Sequence, residues 1–188
     1  MSLNKKMKNS KILILFNKFF CNTIIKNRLN KGDKNQLQLL KDKLIIVDKY
    51  DNKIGYMSKL DAHLIKNNNK YPHRAFSLFI FDNNNNFILH QRASTKFTFP
   101  LLWTNACCSH PLANSKEEEK NIGIKRSVIR RCKYELNIDI NIEDLLLVDK
   151  VLYRAVSDDI FEEFERNINY IYKYIKSIMY LFIDIKKI

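Results

Sequence analysis

Two side chains that can transfer protons or bind a metal lie two residues apart near the middle of the chain. Cys108 and His110 belong to the segment 98–112, which also holds Trp103, the single tryptophan. In an extended strand, residues i and i+2 point to the same side, so the thiol and the imidazole can serve one pocket. A thiol is an acid and a nucleophile, and neutral histidine is the commonest metal ligand. The alternative is that Cys107 and Cys108 are ordinary buried thiols and His110 a loop residue.

Histidines and paired carboxylates elsewhere in the chain form a candidate metal-ligand set. Glu163 and Glu165 stand at i and i+2, so in a strand their carboxylates face the same way. A set of imidazole nitrogens and carboxylate oxygens suits Mn²⁺, Mg²⁺ or Zn²⁺. The histidines of this set are His63, His73 and His110. The alternative is that the glutamates belong to a solvated acidic run and the first two histidines to strand ends.

The glycines of the chain exclude two common kinds of phosphate site. The three glycines, Gly32, Gly55 and Gly123, lie far apart. A dinucleotide fingerprint or a P-loop needs clustered glycines, so any phosphate must be held by side chains and metal. The basic candidates for this task are Lys59, Arg92, Lys96 and Arg131. Each of them alone is more often a solvated surface charge, so they matter only as a set.

The positive charge is concentrated at the N-terminus. The net charge of the 188 residues is +13, and residues 1–32 carry eight of the basic residues and no acid, which leaves +5 for the remainder. The apolar run 12–16 is far shorter than a bilayer span, so we expect no transmembrane segment. We expect residues 1–35 to be a basic extension outside the catalytic fold, either dispensable or a mitochondrial or plastid address. Because this charge lies away from the motifs, a nucleic-acid partner is not expected.

Two pairs of strand-like segments predict β-hairpins. Each pair is rich in β-branched or aromatic residues and brackets a polar turn, at Asp51-Asn52 and at 82–86. The pairs are Leu44–Val47 with Ile54–Tyr56, and Ala75–Phe81 with Phe87–Gln91. His63 follows the first hairpin, and His73 opens the second.

The segment after the second hairpin has a helical period. Ser115 and Glu118 have the spacing of a capping box, which predicts the start of a helix. Its apolar stripe is Ile122, Ile124, Val128, Ile129, Cys132 and Leu136. Asn137 should end the helix, because Asn tolerates the left-handed conformation of a C-terminal cap.

Strand character returns after this helix. Leu145–Val148 and Val151–Ala155 read as strands, and 160–165 can continue them, whereas 168–188 has no clear period. Mixed strands around one strong helix predict an α+β domain.

Several motifs occur in a fixed order between residues 44 and 165. They are His-Arg-Ala-Phe-Ser at 73–77, Gln-Arg-Ala-Ser-Thr-Lys-Phe-Thr-Phe-Pro at 91–100, Trp-Thr-Asn-Ala-Cys-Cys-Ser-His-Pro-Leu at 103–112, Arg-Arg-Cys-Lys-Tyr-Glu-Leu at 130–136 and Tyr-Arg-Ala at 153–155. In these motifs the chain resembles the type I isopentenyl diphosphate isomerases, members of the Nudix-like fold group. Nudix hydrolases carry an acidic Arg-Glu-x-x-Glu-Glu cluster in the helix, and here Arg131 takes the place of its first Glu.

The resemblance implies a function: interconversion of isopentenyl and dimethylallyl diphosphate by protonation and deprotonation, within a Nudix-like mixed sheet with a central helix. It implies that Cys108 and Glu165 are the catalytic groups on opposite faces of the substrate, with Tyr153 assisting Glu165. The implied ligands of a Mn²⁺, Mg²⁺ or Zn²⁺ ion are His63, His73, His110, Glu163 and Glu165. Glu135 would bind a Mg²⁺ that bridges the diphosphate, and the diphosphate-binding groups would be Lys59, Arg92, Lys96 and Arg131.

The resemblance also suggests how the chain is divided. We expect a catalytic domain over residues 40–165 and an atypical tail over 166–188, truncated relative to the family and lacking its carbocation-shielding Trp. Turnover would then be impaired. We expect a monomer that binds a small isoprenoid diphosphate, cytoplasmic unless the N-terminus directs it to an organelle. The alternatives are a noncatalytic Nudix-like protein that binds diphosphates and a basic nucleic-acid-binding protein.

Overall fold

The computed structural model describes residues 23, 25–27, 29–30, 34–64, 71–152, 155–158, 162–163 and 169–175. Within 162–163 and 169–175 it describes the backbone and the side chain of Tyr174. The chain divides into two compact units, Met1–Leu37 and Gln38–Ile188. The second unit contains the sheets, the long helix and all the predicted site residues.

The described helices and strands are named in chain order. They are α1 (Lys34–Leu39), β1 (Lys43–Val47), β2 (Lys53–Ser58), α2 (Lys59–His63), β3 (Ala75–Phe81), β4 (Leu89–Gln91), β5 (Trp103–Asn105), β6 (Cys107–Ser109), α3 (Ile122–Leu136), a 3₁₀ turn (Ile142–Asp144), β7 (Leu146–Val151), β8 (Ala155–Val156), β9 (Glu162–Glu163) and β10 (Asn169–Ile175). Among the helices of the described part of the chain, none has the length and apolar character needed to cross a membrane.

The largest described sheet has four strands in the order β6-β3-β10-β7. Strand β10 runs parallel to β3 and antiparallel to β7, and β3 pairs antiparallel with β6. Three two-stranded sheets, β1-β2, β4-β5 and β8-β9, accompany it. Mixed strands with one long helix confirm the predicted α+β class.

The core lies between β3 and α3. Phe76, Leu78 and Ile80 alternate along β3, and all three are completely buried. They form one apolar cluster with buried residues of α3, among them Ile124 and Val128. Burial of these side chains is the main force that fixes the helix against the sheet.

The first hairpin is confirmed and the second is only partly correct. Strands β1 and β2 pair antiparallel around a turn in which Asp51 has φ 68°. After β3, a bridge joins Phe81 to Phe87, and Ile88 donates its N–H to the Ile80 carbonyl. The chain then leaves β3, and β4 pairs with β5 instead. The reason is that β6 and β10 already occupy the two edges of β3.

The helix α3 begins later than predicted. It starts at Ile122, and Ser115 and Glu118 lie in a run of turns, so the predicted capping box is wrong. The side chain of Asn114 caps these turns by accepting the N–H groups of residues 116 and 117. Asn121 then has φ 59°, which no helical residue adopts, so the helix cannot extend through it. The predicted end is confirmed, since Asn137 is left-handed and donates its N–H to the Lys133 carbonyl.

Strands after α3 also differ in detail from the prediction. The two strands expected at Leu145–Val148 and Val151–Ala155 are one strand, β7, followed by the separate two-residue β8. Strand β10, in the segment without a clear period, lies between β3 and β7 in the four-stranded sheet. The sheet thus includes backbone from beyond residue 165. The predicted division of the chain stays a prediction.

Truncation of one leucine in the sheet should separate core packing from surface effects. Leu78→Ala removes a fully buried side chain, and we expect it to lower the free energy of unfolding by roughly 2–5 kcal/mol. Leu146→Ala is the matched control, because Leu146 is 57% exposed and its loss should cost about 0.5 kcal/mol or less. Urea unfolding of both variants checks this. Equal losses would contradict the assignment of the core.

Candidate active site

Three buried histidines from three separate elements meet at one point. His63 ends α2, His73 pairs with Ile46 in a bridge just before β3, and His110 follows β6. Their ring centroids are 4.8, 4.9 and 5.1 Å apart. One nitrogen from each ring lies within 4.8 Å of the others. This spacing allows three nitrogen donors to approach one metal ion.

The histidine cluster is electrically neutral at neutral pH. Burial lowers the pKa of His63 to about 4, and the charge of Lys59 contributes. Burial also holds the pKa of His73 and of His110 well below 6.5, with further lowering by the neighbouring imidazoles and Lys59. His63 Nδ1 lies 2.6 Å from the Lys59 carbonyl oxygen. Because a carbonyl only accepts, Nδ1 carries the hydrogen and Nε2 keeps its lone pair, which is the form that binds metal.

Two ion pairs, one buried and one partly buried, hold the backbone on either side of this cluster, and sequence reasoning missed both. Arg74, next to His73, donates to Asp51 at 2.6 Å, and both side chains are buried. Arg130 donates to Glu117 at 2.6 Å and also to the His110 carbonyl at 3.3 Å. These partners are 23 and 13 residues apart in the chain. No local pattern in the sequence marks such pairs.

Glu117 also shapes the segment that follows His110. Its second carboxylate oxygen accepts the N–H of Leu112 at 2.8 Å. Glu117 is only 6% exposed, although it lies in a run of three acidic residues, Glu117 to Glu119. The turns before α3 and the helix itself are thereby fastened to the backbone beside His110.

Cys108 lies on β6 directly opposite Ser77 of β3. Its Sγ donates to the side-chain oxygen of Asn105 at 2.9 Å, and the Ser77 hydroxyl lies 3.4 Å away. Cys107, on the opposite face of the strand, is completely buried and donates to Glu135 at 3.4 Å. Burial raises the pKa of the Cys107 thiol, and Glu135 raises it further. The two adjacent thiols therefore face different surroundings, and Cys108 alone is half-buried.

A cluster of charged side chains surrounds Glu135 on α3. The carboxylate accepts a hydrogen bond from Arg131, one helical turn earlier, and lies 3.6 Å from the ammonium of Lys96. Burial alone would raise the pKa of Glu135, but these two cations outweigh it and the pKa is lowered. Burial lowers the pKa of Lys96, with Glu135 opposing the shift and Arg131 and Arg92 adding to it. Glu135 is thus a carboxylate, surrounded by excess positive charge.

Arg92 shapes the loop that leads to β5. Its guanidinium donates to the carbonyl oxygens of Thr98 and Phe99 at 2.8 and 3.0 Å. Phe99 and Leu101 have positive φ values of 45° and 63°. His90, two residues before Arg92, has its pKa lowered chiefly by burial, with Glu135 opposing the shift. The charge of Glu135 therefore reaches His90.

The structure brings together two parts of the predicted site. One part is the cluster of His63, His73 and His110, with Lys59 beside it, and the other joins Lys96, Arg131 and Glu135, with Arg92 beside it. Tyr153 and Glu165 lie outside the described residues. Glu163 is described only as backbone of β9. Asn105 and Ser77, which contact the thiol of Cys108, were not predicted as site residues.

The neutral histidines predict how stability depends on pH. Since burial lowers their pKa values in the folded state, the unfolded chain takes up protons first as pH falls. The free energy of unfolding of the metal-free protein should therefore decrease as the pH falls below about 6.5. The contribution of His63 to this decrease should be complete at about pH 4. Urea unfolding of the chelated protein across this range is the measurement.

A His63→Gln variant tests the contribution of one histidine, because it removes one titrating group and keeps the other two histidines of the cluster. Between pH 6.5 and pH 4, unfolding of the variant should take up about one proton fewer than unfolding of the parent. The free energy of unfolding of the variant should therefore fall less steeply as the pH is lowered. Parallel pH profiles of the two proteins would contradict the assignment of a neutral, buried His63.

Comparison with known proteins identifies the relatives of this chain. No family model matches it. Isopentenyl-diphosphate Delta-isomerase 1 of Mus musculus is 46% identical over 139 residues, which are 71% of this chain and 61% of that protein. Isopentenyl-diphosphate Delta-isomerase I of Camptotheca acuminata is 38% identical over 134 residues, which are 68% of this chain and 57% of that protein. The chain thus spans about three fifths of the length of the curated relatives it matches.

A crystal structure from Deinococcus radiodurans matches with a TM-score of 0.48 at 14% identity, covering 73% of this chain and 74% of that one. This likeness is too weak to add to the argument. The sequence relatives, in contrast, come from both a mammal and a plant and bear one enzyme name. The resemblance seen in the motifs is confirmed, and the chain is a homologue of the type I isopentenyl-diphosphate Delta-isomerases.

Proposed function

We propose that this chain interconverts isopentenyl and dimethylallyl diphosphate, and that its α+β domain is Nudix-like. The observation that carries the proposal is the meeting of three histidines from three elements at the end of the strand that holds Cys108. The sequence identity of 46% and 38% to two relatives that bear the isomerase name supports it. Because the chain spans 61% of the mouse protein, its activity is inferred from this site and not from full-length correspondence.

The proposed reaction needs two proton-transferring groups. A proton is added to the terminal carbon of the double bond, which leaves a tertiary carbocation at the other alkene carbon. A second proton is then removed from the next carbon along the chain, on the far side of the cation, so the double bond moves by one position and the atoms balance. Cys108 is proposed as the group on one face of the substrate. Glu165, assisted by Tyr153, is proposed as the group on the other face. The half-buried thiol, separate from the core thiol of Cys107, supports the assignment of Cys108.

The proposed metal site comprises His63, His73 and His110, with Glu163 and Glu165. Three neutral imidazoles with nitrogens within 4.8 Å fit a Mn²⁺ or Zn²⁺ ion, and added carboxylates make Mg²⁺ acceptable. The bound ion would supply positive charge that orients the Glu165 carboxylate and makes it a stronger acid. The ion pairs beside His73 and His110 support a preorganised site, because they fix the backbone that carries the ligands.

The proposed diphosphate site lies around Glu135. Lys96 and Arg131 both contact this carboxylate, and Arg92 contributes to the same field. A diphosphate together with Mg²⁺ would satisfy all these charges, since its oxygens attract the cations and the Mg²⁺ binds Glu135. Lys59, beside the histidines, is proposed as a further basic contact. A noncatalytic diphosphate-binding protein would use this site too, and turnover distinguishes the two functions.

Turnover should depend on the Cys108 thiol. The chain is incubated with isopentenyl diphosphate, Mg²⁺ and Mn²⁺, and formation of dimethylallyl diphosphate is measured. Cys108→Ala should lower turnover by about 10²–10⁴-fold, because it removes a proton-transferring group. Cys132→Ala, which changes a buried thiol of the core, is the control and should keep the rate. A chain that binds a diphosphate analogue but gives no product would favour the noncatalytic alternative.

Metal content should depend on three of the four histidines. His63→Ala, His73→Ala and His110→Ala each remove a proposed ligand, so each should lower the bound Mn²⁺ or Zn²⁺ found by elemental analysis after dialysis. His90→Ala is a matched control, because His90 is not in the cluster. Unchanged metal content in the three cluster variants would refute the metal site.

A further inference from the structure

We propose that Asn105 is the positioning residue for the Cys108 thiol: its side-chain amide fixes where the sulfur lies and where its hydrogen points. The inference rests on the proposed function, in which Cys108 transfers a proton. Asn105 ends β5, and Ala106 alone separates it from β6. It touches no group proposed to bind the diphosphate or the metal in the hydrogen bonds described, so its role is distinct from theirs.

The orientation of the Asn105 amide is set by two backbone groups. Its Nδ2 donates to the Leu78 carbonyl at 3.0 Å and to the Cys107 carbonyl at 3.1 Å. Carbonyl oxygens only accept, so the NH₂ end of the amide must face them, and the reversed amide would set its oxygen against both. Oδ1 therefore faces Cys108. One anchor lies on β3 and the other on β6, the two strands whose pairing positions the thiol.

The direction of the thiol hydrogen follows from this orientation. Cys108 Sγ lies 2.9 Å from Asn105 Oδ1. An amide oxygen has no hydrogen to donate, so the hydrogen of this bond comes from sulfur. The Thr104 hydroxyl donates to the same oxygen at 3.0 Å. Both donor hydrogens and both acceptor sites of the amide are thus used, and a fully bonded amide has no alternative arrangement of similar energy.

A fixed thiol matters because the proposed reaction takes place at one alkene carbon. Proton transfer requires the donor and the acceptor atom to be within hydrogen-bond reach, and a displacement of about 1 Å can cost about 10²-fold in rate. A free cysteine side chain would rotate among three staggered positions. The bond to Asn105 selects one of them while leaving the thiol half-buried at the site. Loss of Asn105 should therefore lower kcat and leave KM nearly unchanged.

The hydrogen bond can be observed without an activity assay. The S–H stretching band of Cys108 is obtained as the Raman difference between the parent chain and Cys108→Ser, because the other three cysteines cancel. In Asn105→Ala this band should move toward the frequency of a more weakly hydrogen-bonded thiol, because the Ser77 hydroxyl at 3.4 Å is a longer contact than the 2.9 Å bond that is lost. Thr104→Val is the matched control, since it removes a bond to the same oxygen but keeps the bond from sulfur. Its band should remain that of a hydrogen-bonded thiol.

Kinetics then test the positioning role. Asn105→Ala should lower kcat by about 10- to 100-fold with KM within about twofold of the parent. Asn105→Asp has the same shape and keeps an oxygen for the thiol but lacks the two N–H anchors, so its kcat should fall as well. This second variant also keeps the test decisive if the alanine variant does not fold.

Three outcomes decide between the two proposals. An unmoved S–H band in a folded Asn105→Ala that retains its metal would overturn the positioning role, whatever the activity. Full kcat in Asn105→Asp would overturn the anchoring argument. A shifted band in a protein whose parent chain shows no turnover would support the hydrogen bond and refute the proposed isomerase function instead.

Discussion

The pairing of β6 with β3 is the constraint on which the site depends. This contact joins only three residue pairs, with Leu78 opposite Cys107 and Ser77 opposite Cys108. Because side chains alternate along a strand, it sends one thiol into the core and the other toward the site. A slip of one residue would exchange the two thiols and would also displace His110 from the other histidines. Such a slip is costly because it would move the fully buried Cys107 side chain out of the core.

Burying three imidazoles together imposes a second constraint. Each ring must remain neutral, because a charged ring in this setting would be desolvated and repelled by its neighbours. Neutral rings in close contact gain little from one another, so their surroundings must hold them. The ion pairs Arg74–Asp51 and Arg130–Glu117 do this through the backbone. A buried pair such as Arg74–Asp51 adds little net stability, and a partly exposed pair such as Arg130–Glu117 adds little as well, so the value of both here lies in fixing geometry.

Local patterns in the sequence were sufficient for part of this structure. The first hairpin and the helix end at Asn137 follow from turn and cap chemistry, which acts over a few residues. The start of α3 was missed because Asn121 interrupts a run that otherwise has helical spacing. The second hairpin was predicted to be longer than it is. One edge of β3 pairs with β10, which lies about 90 residues further along the chain, so β4 cannot pair along that edge. Long-range pairing of this kind leaves no signal in the segment that it displaces.

The candidate site shows the same division between local and long-range information. The motifs contain His73, His110 and Cys108, and His63 was added to them by its residue type. Asn105 stands in the same motif, but the direction of its amide depends on carbonyls of two strands that meet only in the fold. Residue types can identify the groups that do chemistry, whereas the groups that hold them are defined by the backbone.

The charges on one face of α3 argue for an anionic ligand. Arg131 and Glu135 are one turn apart, and their side chains are only 8% and 11% exposed. The charges of Arg131 and Glu135 alone would cancel. Lys96, whose side chain is 19% exposed, adds a second cation, so the three side chains carry excess positive charge. Partly buried cations without an equal number of acids are costly, and the lowered pKa of Lys96 records that cost. A multiply charged anion would remove it, and the diphosphate of the proposed substrate is such an anion.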